Sequence, residues 1–578
     1  MPRTAISAAA RLSGRRSTPH SSLRRTTKTK ATATRKKSRA SKPSLAHVDT
    51  AFLNARILTM DSRRPRAQAL AIEHGLIARV GADRDILRVI GEKTRVWNLH
   101  GAAVLPGFTD CHTHLVAYGL ELSEADLGKA RSIPEIQSIL RRQAEKKNIK
   151  GWVLGHGWDQ EKLQEKRFPN RFDLDAAVPD KPVCITRICE HICVVNSLGL
   201  ELAKITASTP DFSGGVIDRD DKTGEPTGVL RENAMNLVFS LVPAHDDREV
   251  RRAVSLATRK AVSTGLTSVH CVVDQPQHVR VLQAMDRAGE LKIRIYLWIP
   301  DEWLDSVTGI GISTGFGDEM LRIQGVKFFT DGGLGARTAA LEKPYSDAPD
   351  TTGVLIHTQD ELNATVEKAA RHGLQVAIHA IGDRAIGMAL TAIENAKRVV
   401  PQSDRLRHRI EHASVLNRSL IGRIKNSKVI ASVQPHFIAS DVWMIERVGP
   451  ERAGLVYPLR SLTNTGVLVV GGSDCPVEPI APLEGIYAAI CSAKGDYGER
   501  VNAQTAIEFF TKKAAYATCE EKLKGTIEEG KMADLVVLDR DPLQVPAEEI
   551  RDITVLATFV GGTPAYTSKR FQALKAPK

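Results

Sequence analysis

Short apolar runs that alternate with amphipathic helical stretches constrain the fold of this chain more than any other feature of its sequence. Eight such runs are candidate strands: residues 103–108, 266–270, 293–298, 325–330, 375–379, 409–412, 429–434 and 467–471. Helix-like stretches such as 360–372 and 381–397 lie between them. Because strands separated by helices favour parallel pairing, the pattern predicts an α/β fold, a (β/α)8 TIM barrel over residues 104–519.

Two parts of the chain depart from this alternation. The gap after the first strand, from about 120 to 260, is too long for one crossover and predicts an insertion with strands of its own, such as 183–188. Residues 50–103 and the C-terminal part both contain short apolar runs bounded by turn residues. We therefore predict a small β-sandwich domain that both chain ends build, from residues 47–103 and 520–566.

The net charge of +13, from 80 basic and 67 acidic residues, is concentrated at the N-terminus. Residues 1–46 contain 13 lysines and arginines, no acidic residue, and no Phe, Trp or Tyr. This composition predicts a disordered basic tail, either a solvated extension or an organellar transit peptide. Residues 567–578 form a second, short tail. Because the rest of the chain is balanced in charge, we expect no specific nucleic-acid partner.

The compartment follows from hydropathy and cysteine usage. The 578 residues contain no run of about 18 apolar residues, so no membrane span is expected. The eight cysteines form no Cys-x-x-Cys pair, which in a chain of this length favours a reducing compartment over a disulfide framework. We therefore predict a cytoplasmic protein, with the organellar matrix as the alternative if the tail is a transit peptide. The sequence leaves open whether the protein forms a homo-oligomer.

The most distinctive local motif is Pro-Gly-Phe-Thr-Asp-Cys-His-Thr-His, which ends at His114. Residues two apart on a strand point to the same side, so His112 and His114 could bind one ion, although two solvent-facing loop histidines would have the same spacing. Four further polar residues each lie at or near the end of a different predicted strand: Lys327, His379, His412 and Asp474. Because the C-terminal strand ends of a barrel converge on one mouth, the series predicts a site for Zn²⁺ or a related divalent ion.

These motifs, in this order, resemble those of the amidohydrolase superfamily of metal-dependent hydrolases, specifically its amidohydrolase-3 (YtcJ-like) branch, which includes N-substituted formamide deformylase. The resemblance covers about residues 50–566. Besides the histidine motif it includes Gly155-His-Gly-Trp-Asp159, Val326-Lys-Phe-Phe-Thr-Asp-Gly-Gly333, Ile378-His-Ala-Ile-Gly-Asp-Arg-Ala385, Arg409-Ile-Glu-His412, Gly471-Gly-Ser-Asp-Cys-Pro-Val477 and Gly530-Lys-Met-Ala-Asp534.

The resemblance implies an enzyme with a small-molecule substrate. The expected activity is hydrolysis of a non-peptide C–N bond, in an amide or formamide, by a metal-activated water. Two alternatives stay open. The same site could act on a cyclic amide or another hydrolytic substrate, or the chain could be a regulatory or binding protein that holds a metal without catalysis.

The resemblance also implies roles for the candidate ligands, with Zn²⁺ as the expected metal and one or two ions bound. The ligands of the first ion would be His112, His114 and Asp474, and those of the second His379 and His412. Lys327 occupies the position where related enzymes often carry a carboxylated lysine that bridges two ions. An unmodified Lys327, paired with Asp331 or another acid, would instead favour a single ion. Asp474 would accept the proton of the water and return it to the leaving nitrogen.

Substrate contacts are harder to assign from the sequence. Four residues of the insertion match family positions that could approach the pocket, although a role in holding the insertion together is the favoured alternative for each: Trp158, Asp159, His191 and Glu232. Arg337, on the loop after Lys327, is a candidate for binding a polar substrate group. His436, just past the seventh strand, is a candidate for contact with the substrate or the metal ligands.

Four other positions bear on this assignment. Asp110, two residues before His112, could hydrogen-bond a metal ligand or cap its strand. His408 lies at the far end of its strand and is assigned to the core or to the surroundings of the ligands. The chain departs from the usual pattern of the branch in two places: Cys475 stands where tryptophan commonly follows the metal aspartate, and Glu190 stands where glycine is usual. Both departures put in doubt the transfer of a named relative's substrate to this chain.

Overall fold

The structure, a computed structural model, describes residues 48–146, 151–188, 192–211, 215–491 and 498–575. The basic tail predicted over residues 1–46 lies outside these ranges, as do Glu190 and His191. Within the described ranges, no helix is both long enough and apolar enough to cross a bilayer.

Eight parallel strands form the main sheet. In spatial order, which is also chain order, they are Phe108–Thr113, Leu266–Val272, Arg294–Pro300, Leu321–Phe329, Gln375–Ala380, Arg409–His412, Ile430–Val433 and Val469–Gly471. The first and last strands meet where the Asp474 N–H donates to the His112 carbonyl and the His114 N–H donates to the Cys475 carbonyl, both at 2.7 Å. The predicted (β/α)8 barrel is confirmed. A short strand, Phe316–Gly317, pairs antiparallel with the fourth strand.

Helices connect successive barrel strands. They are Asp247–Ser263, Pro276–Arg287, Leu304–Gly309, Gln359–Arg371, Asp383–Val399, Arg418–Asn426 and Leu459–Thr465, with Pro482–Ile490, Ala503–Phe509 and Lys512–Ala517 after the last strand. Asp247–Ser263 illustrates why these segments are helical. The Asp246 carboxylate accepts the N–H groups of Arg248 and Glu249 and so caps the first turn. Apolar residues three or four positions apart then form one buried face: Val250, Val254, Ala257 and Ala261.

A six-stranded sheet interrupts the connection between the first and second barrel strands. Its order is Gly215–Arg219, Pro226–Glu232, Ile192–Val195, Val183–Arg187, Val153–Trp158 and Ala125–Asp126. The helices Ile133–Ala144, Arg171–Asp175 and Ser197–Leu202 belong to the same region. Helix Leu115–Glu121, which follows the first barrel strand, packs against Asp247–Ser263, which leads into the second. The sheet is therefore inserted between two helices that themselves lie together.

Two further sheets lie outside the barrel, and the second contains strands from both chain ends. One has the order Leu76–Gly81, Ala69–Glu73, Thr50–Leu53 and Arg95–Asn98. The other has the order Thr563–Thr567, Val555–Val560, Leu535–Leu538, Ala103–Pro106, Arg56–Leu58 and Arg66–Ala67. Buried residues of both sheets, such as Phe52 and Phe559, share one core cluster. This pairing supports the composite β-sandwich domain, whose boundaries at 47–103 and 520–566 stay a prediction.

The first strand predicted for the barrel, residues 103–108, belongs elsewhere. Ala103–Pro106 pairs with Leu535–Leu538 in the small-domain sheet, and the barrel strand begins at Phe108. Gly107 separates the two strands. A β-carbon at that position would lie 2.1 Å from the side chain of Thr267, so only glycine allows the chain to pass so close. The prediction was wrong because both strands are buried and apolar, and their run of residues contains no polar break.

Candidate metal centre

Three side chains from different strand ends meet at one mouth of the barrel. His112 from the first strand, His412 from the sixth and Asp474 after the eighth each place a potential ligand atom within 4.8 Å of the others. All three residues are buried. His112 Nε2 and His114 Nε2 each lie 3.4 Å from Asp474 Oδ1. The structure therefore brings together the pair in the His-x-His motif, the aspartate and His412, which the resemblance assigned to a second ion. The ligand roles of these residues stay predictions.

Lys327 borders this cluster from the fourth strand. Its side chain is buried, and its Nζ lies 3.3 Å from His112 Nε2. Asp331, the acid considered as its partner, forms no ion pair with Lys327 in the described structure. The Asp331 carboxylate accepts three backbone N–H groups instead, those of Ala340, Ile381 and Gly382. The amine of Lys327 is therefore directed toward the metal centre.

His379 lies beside the cluster with its ring turned partly away. Its ring centroid is 4.4 Å from that of His412, in an edge-to-face arrangement. Its Nε2, however, lies 3.3 Å from the carbonyl oxygen of Gly332 and 3.4 Å from Asp331 Oδ1. In this orientation Nδ1 is the nitrogen left to bind an ion. The second metal site predicted around His379 stays a prediction.

Neighbouring acceptors orient two of the histidines. His112 Nδ1 contacts a carboxylate oxygen of Glu411, and His412 Nδ1 lies 2.8 Å from Gln434 Oε1. Because Nδ1–H of each histidine donates to its acceptor, the proton stays on Nδ1 and each Nε2 keeps a lone pair for an ion. Two such nitrogens and one carboxylate are a donor set that Zn²⁺ and related ions bind. The residues present therefore fit a divalent metal ion.

Burial and neighbouring charges set the protonation states of these groups. Burial, reinforced by Lys327, lowers the pKa of His112 to about 4. Burial likewise lowers the pKa of His412 to about 3. For Asp474, burial alone would raise the pKa, but His112 and the other nearby histidines outweigh it and hold the pKa well below its usual range. Burial lowers the pKa of Lys327 to about 8. Neutral imidazoles and an ionised carboxylate are the forms that bind metals.

Two residues at the site have a backbone conformation that residues other than glycine rarely adopt. His412 has φ of 73° and Asp474 has φ of 59°, both in the left-handed region. Gly472 allows the eighth strand to approach the first, because a β-carbon there would lie 2.7 Å from His112 N. Such conformations persist where the surrounding structure fixes them, and they are concentrated at functional sites.

Asp110 joins the first and eighth strands rather than orienting a histidine ring. Its Oδ1 accepts the N–H of His112 at 3.1 Å and that of Ser473 at 2.9 Å. Burial raises the pKa of this carboxyl to about 7. The geometry agrees with the strand-capping alternative, here extended to both strands that carry ligands.

Sequence reasoning missed two charged residues beside the centre, Arg409 and Glu411. Both are buried, and Glu411 contacts His112 from the strand that also supplies His412. A signal was present in the sequence. Two opposite charges two residues apart on a strand point to the same face, and on a short buried strand each must be paired to offset the cost of its burial.

Trp158 lies in the core of the insertion. Its side chain has no exposed surface, its indole N–H donates to the carbonyl oxygen of Ile185 at 3.2 Å, and its ring packs edge-on against Phe168. A fully enclosed ring with a satisfied donor cannot reach a ligand in this conformation. The geometry favours the structural alternative for Trp158, and the predicted substrate contact stays a prediction.

The other predicted substrate contacts have partners within the protein. Arg337 forms two hydrogen bonds with Asp347, at 3.2 and 2.8 Å. His436 contacts Glu478, whose hydrogen bond raises the pKa of that histidine. Because His436 is partly exposed and follows the seventh strand, it keeps its place as a candidate, as does Arg337 with a side chain 38% exposed.

Three of the remaining singled-out residues, Asp159, His408 and Cys475, have contacts within the protein, and Glu232 keeps both of its interpretations. Asp159 lies 3.4 Å from Arg187 within the insertion. His408 is buried, and its Nδ1 accepts the N–H of Val376 at 3.1 Å, in agreement with its assignment to the core. Cys475 is buried in the main core, and its carbonyl accepts the His114 N–H. Glu232 lies at the end of an insertion strand.

Comparisons with known proteins agree with this geometry. The sequence profile of the Amidohydrolase family matches residues 95–566. The putative amidohydrolase YtcJ of Bacillus subtilis is 33% identical over 88% of this chain and 98% of its own length. N-substituted formamide deformylase of Arthrobacter pascens is 28% identical over 90% of this chain and 98% of its own length. A crystal structure of an uncharacterized metal-dependent hydrolase from Pyrococcus furiosus is 34% identical, with a TM-score of 0.73, over 86% of this chain and all of that one.

Proposed function

This chain belongs to the amidohydrolase family, and on that basis we propose that it hydrolyses a non-peptide C–N bond, in an amide or formamide, of a small-molecule substrate. The observation that carries the proposal is the buried group of His112, His412 and Asp474 at the C-terminal mouth of the barrel. A purely structural metal site would be closed by protein ligands. We infer catalysis because such a site would not need Asp474 as an acidic residue beside the ion.

A divalent ion, when bound, supplies Lewis acidity toward a water molecule and the substrate carbonyl. His112 and His412 would hold it through Nε2, because Glu411 and Gln434 occupy their Nδ1 atoms. Asp474 would accept the proton of the attacking water on a carboxylate oxygen and pass it to the leaving nitrogen. Its depressed pKa keeps that oxygen ionised before the reaction.

Zinc is the metal we propose. Imidazole and carboxylate donors suit Zn²⁺, and three protein ligands with an open fourth position are typical of catalytic zinc sites. We propose His114 as a further ligand, because its Nε2 lies beside Asp474 Oδ1, and the position for water would then be a fifth one. Lys327 and His379 are the residues that would bind or bridge a second ion, and carboxylation of Lys327 would be required for the bridge. Mass spectrometry of the intact chain tests whether Lys327 is carboxylated, and metal analysis tests how many ions are bound.

A reducing, cytoplasmic location remains our proposal for the protein. Seven cysteines in the described ranges are free thiols, and five of them are buried. Fractionation of cells that produce the full chain would test this location, and sequencing of the mature N-terminus would show whether residues 1–46 are removed as a transit peptide would be.

The proposed activity is tested by turnover on a substrate panel. The panel contains N-substituted formamides, linear amides, cyclic amides and dipeptides, each assayed with zinc-loaded protein. We expect hydrolysis of at least one linear amide or formamide and a loss of about 10²–10⁴-fold in kcat for Asp474→Asn. Preference for cyclic amides or dipeptides would overturn the substrate class. Unchanged turnover in Asp474→Asn would remove the proposed base.

A further inference from the structure

A buried ion pair on the sixth strand reaches across the barrel to the first strand. Arg409 and Glu411 are at most 1% exposed. Glu411 contacts the ring of His112, and Arg409 Nη2 donates to the carbonyl oxygen of Cys111 at 2.5 Å. The pair therefore contacts both the side chain of a proposed metal ligand and the backbone just before it.

The guanidinium of Arg409 is itself fixed on several sides. Its Nε and Nη2 donate to the two oxygens of Glu411, the second at 3.0 Å. Its Nη1 lies 2.8 Å from His270 Nδ1, and its plane lies over the ring of Trp298 at 4.5 Å. A two-pronged arginine–carboxylate pair held in this way leaves the carboxylate little freedom to rotate.

The position of this pair argues for more than stability. Apolar side chains of similar volume are often at least as stabilising as a buried ion pair, because burying two charges requires desolvating both. Here the charged pair lies where it can fix a ring. Glu411 holds the proton of His112 on Nδ1, and the residue that follows it, His412, supplies another proposed ligand. The strand Arg409–His412 thus carries one proposed ligand, His412, and the ion pair of Arg409 and Glu411 that holds another, His112. This ion pair is called the clamp below.

We propose that Arg409 and Glu411 are positioning residues that set the ring of His112 and its strand for metal binding before an ion arrives. The inference rests on the proposed metal-dependent function. Outer partners of ligating histidines fix the tautomer and ring orientation, and their loss lowers metal affinity about 10–100-fold. The clamp is part of the protein itself and needs no ion to form.

The test compares Glu411→Gln with a matched control, Glu520→Gln. Glu520 is also a buried carboxylate in an arginine pair, but its partners are Arg322 and the hydroxyl of Tyr296, each at 2.6 Å. Metal-stripped wild type and both variants are titrated with Co²⁺ against a competing chelator. The dissociation constant per folded chain, the visible Co²⁺ spectrum and the unfolding midpoint of the metal-free protein are recorded.

We expect both variants to lower the unfolding midpoint, whereas only Glu411→Gln raises the Co²⁺ dissociation constant, by about 10–100-fold, with an altered spectrum. Equal Co²⁺ affinity in wild type and Glu411→Gln would overturn the clamp, as would an equal loss in Glu520→Gln. If Glu411→Gln does not fold, Glu411→Asp takes its place, because it keeps the charge on a shorter side chain. It should raise the Co²⁺ dissociation constant by the same factor, and an affinity equal to that of the wild type would overturn the clamp. A wild type that binds no Co²⁺ would instead contradict the proposed function.

Discussion

The ion pair between Arg294 and Asp534 joins the barrel to the small-domain sheet, and breaking it should weaken the whole molecule. Arg294 begins the third barrel strand, and Asp534 directly precedes the sheet strand Leu535–Leu538. Nε and Nη2 of the arginine donate to the two carboxylate oxygens at 2.7 and 3.0 Å. The side chains are only 4% and 3% exposed. Asp534 Oδ1 also accepts the N–H of Gly561 at 2.7 Å.

The variant Asp534→Asn keeps the shape of the side chain and one oxygen acceptor, but it removes the charge that compensates Arg294. Leaving a charge buried without its partner destabilises a protein by about 3–5 kcal/mol. For a chain of this size, that loss corresponds to a decrease in Tm of roughly 3–5 °C if the protein unfolds in one transition. We expect urea denaturation, followed by circular dichroism, to give a loss in that range.

Two controls make the comparison specific. Arg570→Gln breaks a pair in which the arginine is 67% exposed and lies 3.2 Å from Asp539, so we expect a loss below about 1 kcal/mol. The double variant Arg294→Met with Asp534→Leu removes both charges and should recover much of the stability lost in Asp534→Asn. A loss in Asp534→Asn no larger than in Arg570→Gln would refute the argument from buried charge.

Three further predictions follow from individual environments. Burial raises the pKa of Glu124 from 4.5 to about 7, so the folded state binds this proton more tightly and the wild type loses stability as the pH rises across that interval. Glu124→Gln should therefore be more stable than the wild type at pH 8 but not at pH 4. Equal urea midpoints of the two proteins at pH 8 would contradict this. Gly472→Ala places a β-carbon against His112 N, so we expect weaker Co²⁺ binding, and an unchanged dissociation constant would count against the close approach. Trp158→Phe should lower stability by about 1 kcal/mol through the lost hydrogen bond and leave KM unchanged, whereas a raised KM at unchanged stability would restore Trp158 to the substrate pocket.

The features that could be predicted from the sequence are those with a local signature. Barrel strands are apolar runs between amphipathic helices, and the ligand candidates are polar residues at the ends of such runs, where His379, His412 and Asp474 stand out. Parallel strands then require these ends to share one mouth. The meeting of His112, His412 and Asp474 could therefore be anticipated without knowledge of the packing.

What the sequence could not supply depends on contacts between distant segments. Between residues 103–106 and the barrel strand the sequence has only the general turn signal Pro106-Gly107, and the approach of Thr267 to Gly107 is what marks the change of sheet. The contact of Glu411 with His112 joins residues far apart in the chain. Trp158 has the same sequence signature whether it lines a pocket or fills a core, and its packing against Phe168 is visible only in the structure.

Turnover as a function of bound metal tests whether this amidohydrolase family member is a metal-dependent hydrolase built on His112, His412 and Asp474. Protein stripped by a chelator is reloaded stepwise with Zn²⁺, and hydrolysis of the best substrate is measured at each metal content. We expect near-zero turnover without metal and a rise in proportion to the first equivalent bound per chain. Full turnover in stripped protein, or less than one equivalent bound at saturation, would contradict it.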